Sequence, residues 1–181
     1  MSRLKAIEPD QATGLAKELL DSVNEKFGMV PNLTRALANS PPALKGFLSF
    51  EEALEGGVLP AKLREQISLT VSEANGSGYC VAAHCAFGKS VGLSDSELTD
   101  GRQASSPDSK VDAALHLARQ LVENRGWVAD EDLERVRRAG HGDAEIAEIV
   151  AVVAWMTFAN YFNHVAGTDI DFPTVPEVAT A

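Results

Sequence analysis

Apolar residues recur at three- and four-residue spacing along almost the whole chain, and hardly a stretch alternates or gathers β-branched residues as a strand requires. That periodicity restricts the chain to packed helices, and the fold class it predicts is all-α. Asp10 to Lys26 carries Ala12, Leu15, Leu19, Leu20 and Val23 at helical spacing and stops near Phe27-Gly28. Further helices are expected from Asn32 to Asn39, and from Ala43 to Glu55 after the Ser40-Pro41-Pro42 start, ending at Gly56-Gly57. Pro60 opens the next, which passes Glu65 and runs to Glu73, where Ala-Asn-Gly-Ser-Gly breaks the pattern. A helix holding Cys80 and His84 ends near Gly92, and Ser94 with Glu97 gives a capping-box signature for a short helix. Gly101 to Asp108 is expected to be loop. Helices over Lys110 to Asn124, Asp130 to Arg138 and Asp143 to Val165 follow, then an extended tail after Gly167 with Pro173 and Pro176.

With 181 residues, 45% apolar and 23% charged, the chain has enough material for a core and is expected to form a single domain over 1–181. The net charge of −10 and the scatter of the 16 basic residues argue against a nucleic-acid partner, since only Arg135, Arg137 and Arg138 cluster. No apolar run follows the basic residues of MSRLKAIEPDQATG, so no secretory leader is expected. The longest apolar run, Ile149 to Ala159, is too short to span a bilayer, which leads to the expectation of a cytoplasmic protein with no membrane partner. Neither His116 nor His141 belongs to a set of three ligands at metal spacing, and no nucleotide-binding glycine motif is present. No metal or cofactor is therefore expected.

Chemistry concentrates in EQISLTVSEANGSGYCVAAHC, Glu65 to Cys85. Residues three or four apart share a helix face, so Ser77, Cys80 and His84 align. Cys85, five residues beyond Cys80, is rotated by roughly 140° and lies beyond disulfide reach of it within an intact helix. Asn75 or Ser77 is a natural N-cap, which puts Cys80 in the first turn, where the helix dipole is expected to lower its thiol pKa. His84 can hydrogen-bond the sulfur or exchange its proton, and Glu65 on the preceding helix can orient the imidazole. The competing reading is that a buried cysteine and histidine simply pack. Cys85 reads as a small buried hydrophobe, with an intersubunit bridge as the alternative. His164, Asn163 and Asn160 are expected chiefly to cap the helix end or meet a second subunit, with lining of the same pocket as the alternative. Tyr79 is expected to wall the thiol pocket, and Trp127, Trp155, Phe158, Tyr161 and Phe162 to serve a core or an interface.

The spacing of Glu, eleven residues, Cys-x-x-Cys, three residues and His resembles the central motif of the carboxymuconolactone decarboxylase and alkyl hydroperoxidase D (AhpD) superfamily, in its peroxidase-related branch. Glu65, Ser77, Cys80 and His84 occupy those four positions without a shift. FGMVPNL, the Pro60-x-x-x-Arg-Glu start, YCVAAH and GLSD-x-E-L are similar too, most specifically over 60–98. The resemblance implies an AhpD-like helical bundle and an obligate homo-oligomer, commonly a trimer or hexamer. It also implies an oxidoreductase of antioxidant defence that reduces peroxide at Cys80 with a Glu65–His84 proton relay, re-reduced by a lipoylated or other dithiol protein. Ser77 departs from the motif, for a hydroxyl cannot resolve an oxidised Cys80, and turnover would then need an external thiol. The alternatives are a non-redox decarboxylase-type enzyme using His84 and Glu65 for acid–base work, and a redox-inactive oligomeric binding or scaffold protein.

Overall fold

The computed structural model describes residues 2–176, and those residues form helices and connecting turns with no strand. Nine helices lie among them: α1 (Gly14–Phe27), α2 (Asn32–Leu37), α3 (Pro41–Glu55), α4 (Ala61–Ala74), α5 (Gly78–Ser90), α6 (Asp95–Arg102), α7 (Ser109–Glu123), α8 (Asp130–Arg138) and α9 (Asp143–Ala166). The all-α expectation holds.

Helix α4 is the axis, touching α5, α6, α7 and α9. It can do so because it is apolar or small on most of its circumference: Leu63, Ile67, Leu69 and Val71 are buried, and so are Gln66, Ser68, Thr70 and Ser72. Leu20, Leu37, Leu44, Ile67, Leu115, Ile149 and Met156 lie fully inside one continuous core, and a smaller cluster of Leu69, Val81, Cys85, Leu93 and Leu98 joins α4, α5 and α6. Phe47 of α3 and Trp155 of α9 stack with ring centroids 5.2 Å apart, and the Trp155 indole N–H donates to the Phe47 carbonyl at 3.2 Å. An aromatic pair of this kind adds about 1 kcal/mol to what its burial contributes, and it ties the two helices that wall the site described below. At its other end α9 offers Glu148, whose carboxylate accepts from the Val58 and Leu59 amides at 2.8 and 2.9 Å and so holds the approach to α4.

By length and composition α9 could cross a membrane. Its contacts with α3, α4, α5 and α7 make it a core helix of this bundle instead.

The turn from α4 to α5 decides where the reactive side chains point. Gly76 adopts φ +66°, a left-handed conformation that costs glycine little. Gly76 N–H donates to the Glu73 carbonyl at 2.9 Å and Ser77 N–H to the Ser72 carbonyl at 2.8 Å, which is a Schellman closure of α4. Ser77 is at once the residue after that closure and the N-cap of α5, so the two helices meet without a loop.

Several boundaries differ from the sequence expectation by a residue or two, α2 stopping at Leu37 and α3 starting at Pro41 among them, and two differences have a cause in the backbone. Helix α1 begins at Gly14 rather than Asp10, because Thr13 is extended and Gly14 has φ +55°. Helix α6 continues through Gly101 and Arg102, which had read as loop. Gly101 lies against α4, where a Cβ would stand 3.4 Å from Gln66 Cα, and its carbonyl accepts from Thr70 Oγ1 at 2.6 Å. The glycine permits close approach there and does not stop the helix. Arg102 then pairs with Glu73 at 2.7 Å. The expected capping box at Ser94 and Glu97 is present in both directions.

Candidate active site

Cys80 is the third residue of α5 and, at 2% exposed, floors a cavity walled by α3, α5 and α9. The cavity comprises about 510 Å³ including its open mouth. Its lining is largely aromatic: Phe27, Phe47, Tyr79, Phe87, Trp155 and Phe172, with His84 and Glu51 as the ionisable groups besides the thiol and the phenol. His84 stands one turn after Cys80, its ring edge-on to Phe87 and Trp155 at 5.8 and 6.0 Å. Its Nδ1 meets Glu65 Oε2 of α4 at 2.8 Å. A carboxylate on Nδ1 fixes the tautomer and leaves Nε2 as the nitrogen able to take a proton from the cavity.

The alignment of Ser77, Cys80 and His84 and the reach of Glu65 to the imidazole agree with the sequence expectation. The expected low thiol pKa does not. Burial raises the Cys80 thiol above its ordinary value, with Ser77, Asn160 and Asn163 pulling it partway back. The magnitudes explain the outcome: a helix terminus contributes roughly 0.3–1 kcal/mol, whereas full burial of an ionisable group shifts its pKa by as much as ~3–5 units. Among the described residues no hydrogen bond joins His84 to Cys80. The sulfur's partner is the Asn163 carboxamide, Nδ2 to Sγ 3.2 Å.

Asn163 and Asn160, expected chiefly to cap the helix end or meet a second subunit, instead turn inward. Both are buried and face the thiol. His164 behaves as expected of a peripheral group, exposed and hydrogen-bonded to the Asn75 carbonyl at 2.9 Å. Cys85 lies on the far face of α5 in the small apolar cluster, a free and buried thiol that packs as a hydrophobe. Trp127 is 83% exposed and belongs to no core.

Tyr79 walls the cavity, as expected. Its phenol donates to Asp171 Oδ1 at 2.8 Å and accepts from the Leu33 amide at 3.1 Å, while its ring meets Phe172 edge-on. Burial and the neighbouring Asp171 carboxylate push its pKa far up, so it stays a neutral hydrogen-bonding wall. Through these contacts Phe172 is held in the cavity wall, where it also meets Phe87 at 5.5 Å.

Glu51 of α3 was missed. It lines both the aromatic cavity and a neighbouring polar cleft that contains Arg64, Glu65 and Ser68, and so separates the two. Burial raises its carboxyl pKa, opposed by Lys26, whose Nζ stands 3.7 Å away. A signal existed: Glu51 falls four residues after Phe47 and three before Leu54, on the buried face of its helix. A carboxylate on an apolar face is unusual unless paired or used.

Residues 41–123, from α3 to the end of α7, match the sequence model of the carboxymuconolactone decarboxylase family, and this span contains Glu51, Glu65, Ser77, Cys80 and His84. Over that span the chain is similar to the carboxymuconolactone decarboxylase family. Among solved structures, an alkylhydroperoxidase AhpD core, an uncharacterized peroxidase-related protein from Ralstonia eutropha JMP134, is 24% identical with a TM-score of 0.85, over 94% of this chain and 92% of that one. A peroxidase-related protein from Silicibacter sp. TM1040 is 23% identical with a TM-score of 0.78, over 93% and 94%. The debrominase Bmp8, in complex with 2,3,4-tribromopyrrole, is 17% identical with a TM-score of 0.82, over 94% and 92%. At these identities the likeness is one of fold. No curated protein matches the chain. Against the Cys-x-x-Cys of the motif that its sequence resembles, this chain keeps the second sulfur as Cys80 and has Ser77 in place of the first.

Proposed function

We propose that the protein is a thiol-dependent, peroxidase-like oxidoreductase in which Cys80 meets the peroxide while Glu65 and His84 handle the proton. The observation that carries this reading is the seating of Cys80 on the floor of a cavity whose wall holds an imidazole oriented by a carboxylate. The thiol proton leaves through His84 Nε2, with water or the hydroperoxide bridging the gap. The sulfur then attacks the peroxide oxygen: an S–O bond forms, the O–O bond breaks, and the departing alkoxide takes the proton back from His84. Cys80 becomes a sulfenic acid and the hydroperoxide an alcohol. With Ser77 unable to supply a second sulfur, an external thiol or a lipoylated or dithiol protein displaces water to give a mixed disulfide, and a further thiol releases Cys80. The aromatic walls favour an organic hydroperoxide over hydrogen peroxide, and the Bmp8 complex with a brominated pyrrole supports a taste of this fold for flat apolar molecules. A chemistry fed by reduced thiols suits a cytoplasmic setting and a role in antioxidant defence.

The test adds organic hydroperoxide to the reduced protein in the presence of a sulfenate-trapping reagent and maps the adduct by mass spectrometry. The adduct is expected on Cys80, absent from Cys85, and lost in Cys80→Ser. Because burial raises the thiol pKa, the trapping rate should keep climbing as the pH passes the ordinary thiol value of ~8.5. A rate that is flat through that range, or a Cys80 that stays a thiol, removes the proposal.

One observation favours a second reading. Glu51, Glu65 and His84 form an acid–base set that needs no sulfur, with one carboxyl raised toward neutrality. A decarboxylase-type reaction on a small acid or lactone would use it, and turnover would then survive alkylation of Cys80.

We further propose a homo-oligomer, a trimer or hexamer, assembled on α9. Val150, Ala154, Phe158, Tyr161 and Val165 recur at spacings of three and four along its exposed face, joined by Phe50 of α3. A stripe of that kind is what an obligate interface covers. A monomer in light scattering at micromolar concentration contradicts it.

A further inference from the structure

The sulfur of Cys80 has two unlike sides. One meets the aromatic cavity. The other is met by polar groups from α9 and the α4–α5 turn, none of which lines that cavity. Asn163, 6% exposed, donates from Nδ2 to Sγ, and its own Oδ1 is buried with no partner. Asn160, one turn earlier and fully buried, is held behind it: Oδ1 accepts from Asn75 Nδ2 at 2.9 Å and Nδ2 donates to Ser72 Oγ at 3.4 Å. Ser77, 3% exposed, brings to the same sulfur a hydroxyl that has no hydrogen-bond partner.

Packing does not account for these groups. An apolar side chain would fill the Asn163 position in a helical core without orphaning an acceptor. A serine at a helix N-cap ordinarily spends its oxygen on the first free amides of the helix, and Ser77 does not. Buried polar atoms left without partners are few in native proteins and call for a reason. The orientation of the Asn163 carboxamide supplies one. A thiol sulfur accepts an N–H only weakly, whereas a thiolate accepts it as a stronger, charge-assisted bond, so a carboxamide nitrogen aimed at the sulfur favours the ionised form. Here the nitrogen lies on the sulfur and the oxygen is the orphan.

We propose that Asn163 is a further catalytic residue of this site, donating to the Cys80 sulfur and forming with Ser77 and Asn160 a cradle that holds the thiolate from the side away from the substrate. The inference rests on Cys80 being the reactive thiol, and it supplies what lets a sulfur enclosed by Trp155, Met156 and Phe47 ionise. In this step the S–H bond breaks, the proton passes to His84 on the cavity side, and the electron pair stays on sulfur, met by the Asn163 N–H and open to the free Ser77 hydroxyl, with Asn160 behind them. No oxidant enters, so the step can be followed apart from peroxide chemistry.

The experiment follows the Cys80 thiolate by its ultraviolet absorbance against pH, and by its rate of alkylation with iodoacetamide, in a Cys85→Ala background. Asn163→Leu is expected to raise the thiol pKa by about one unit and to slow alkylation about tenfold at neutral pH, the usual effect of losing one donor to a charged group. Ser77→Ala should move both readouts the same way by less. A residue that merely packs would shift neither. Where leucine proves too large for the position, Asn163→Ala carries the same expectation without a clash. A folded Asn163 variant with unchanged pKa and alkylation rate overturns the cradle. Because neither readout involves peroxide, a shifted pKa in a protein that never forms a sulfenate upholds the cradle and sinks the peroxidase reading, while an unshifted pKa in a protein that does form one decides the reverse.

Discussion

Ser77→Cys is expected to turn a sulfur that waits for an outside thiol into one that resolves itself. After one equivalent of hydroperoxide, the variant should show a disulfide between positions 77 and 80 and no trappable sulfenate. Geometry permits it: position 77 is the N-cap and position 80 the third residue of α5, the placement that Cys-x-x-Cys pairs take at a helix N-terminus, and the non-helical N-cap backbone lets the two side chains meet. The Ser77 oxygen has no hydrogen-bond partner to lose and the position is buried, so the larger, less polar thiol replaces it at small cost. An internal thiol acts at an effective concentration on the order of mM or above, so re-reduction by a dithiol should overtake the wild type at low reductant. Mass spectrometry of the oxidised variant is the check. A persistent sulfenate in Ser77→Cys means that the two side chains do not face each other, and with that the comparison to a cysteine-pair site collapses.

Glu65→Gln is expected to cost at least about 100-fold in kcat/KM for hydroperoxide, within the range attributed to positioned acid–base groups. Glu65 touches no substrate. It acts by orienting His84 through the 2.8 Å contact to Nδ1, which sets Nε2 free on the cavity side. Glutamine keeps the shape and can keep one hydrogen bond, but it no longer stabilises an imidazolium while the proton is in transit. The loss should fall on the oxidation step, read as slower sulfenate formation under single turnover, with the far-ultraviolet spectrum unchanged. A fall of only a few-fold would mean that the proton travels by another group, and Glu51, which lines the same cavity and the cleft beside Glu65, would be the one to examine.

How much of this was legible beforehand follows from how local each feature is. The helices of the α4–α5 hairpin, its glycine turn and the capping box of α6 depend on residues within a few positions of one another, and periodicity finds them. The Glu65–His84 pair is a contact between adjacent helices, reachable from spacing and family likeness together. What failed depends on distant segments. The thiol pKa was expected to follow the helix end, but burial raises it, and the cavity in which the thiol is buried is walled by Trp155, Met156 and Ala159 on α9 and Phe47 on α3, far along the chain. Asn163 lies 83 positions from Cys80, and no local pattern connects them. Glu51 left a faint trace as an acid on a buried face. Gly101 was misread because a glycine that allows two helices to touch looks in sequence like one that ends a helix.

The turn at Asn75, Gly76 and Ser77 closes α4 and opens α5 without help from the side chain at 77, which bonds to nothing there. The architecture is thus indifferent to which small side chain stands at that position. A form of this site with two sulfurs and a form with one lie a single substitution apart on the same backbone, so selection could pass between them without crossing an unfolded intermediate. Gain or loss of self-resolution is, for this scaffold, a question of lineage and supply of reductant, answered independently of whether the chain folds.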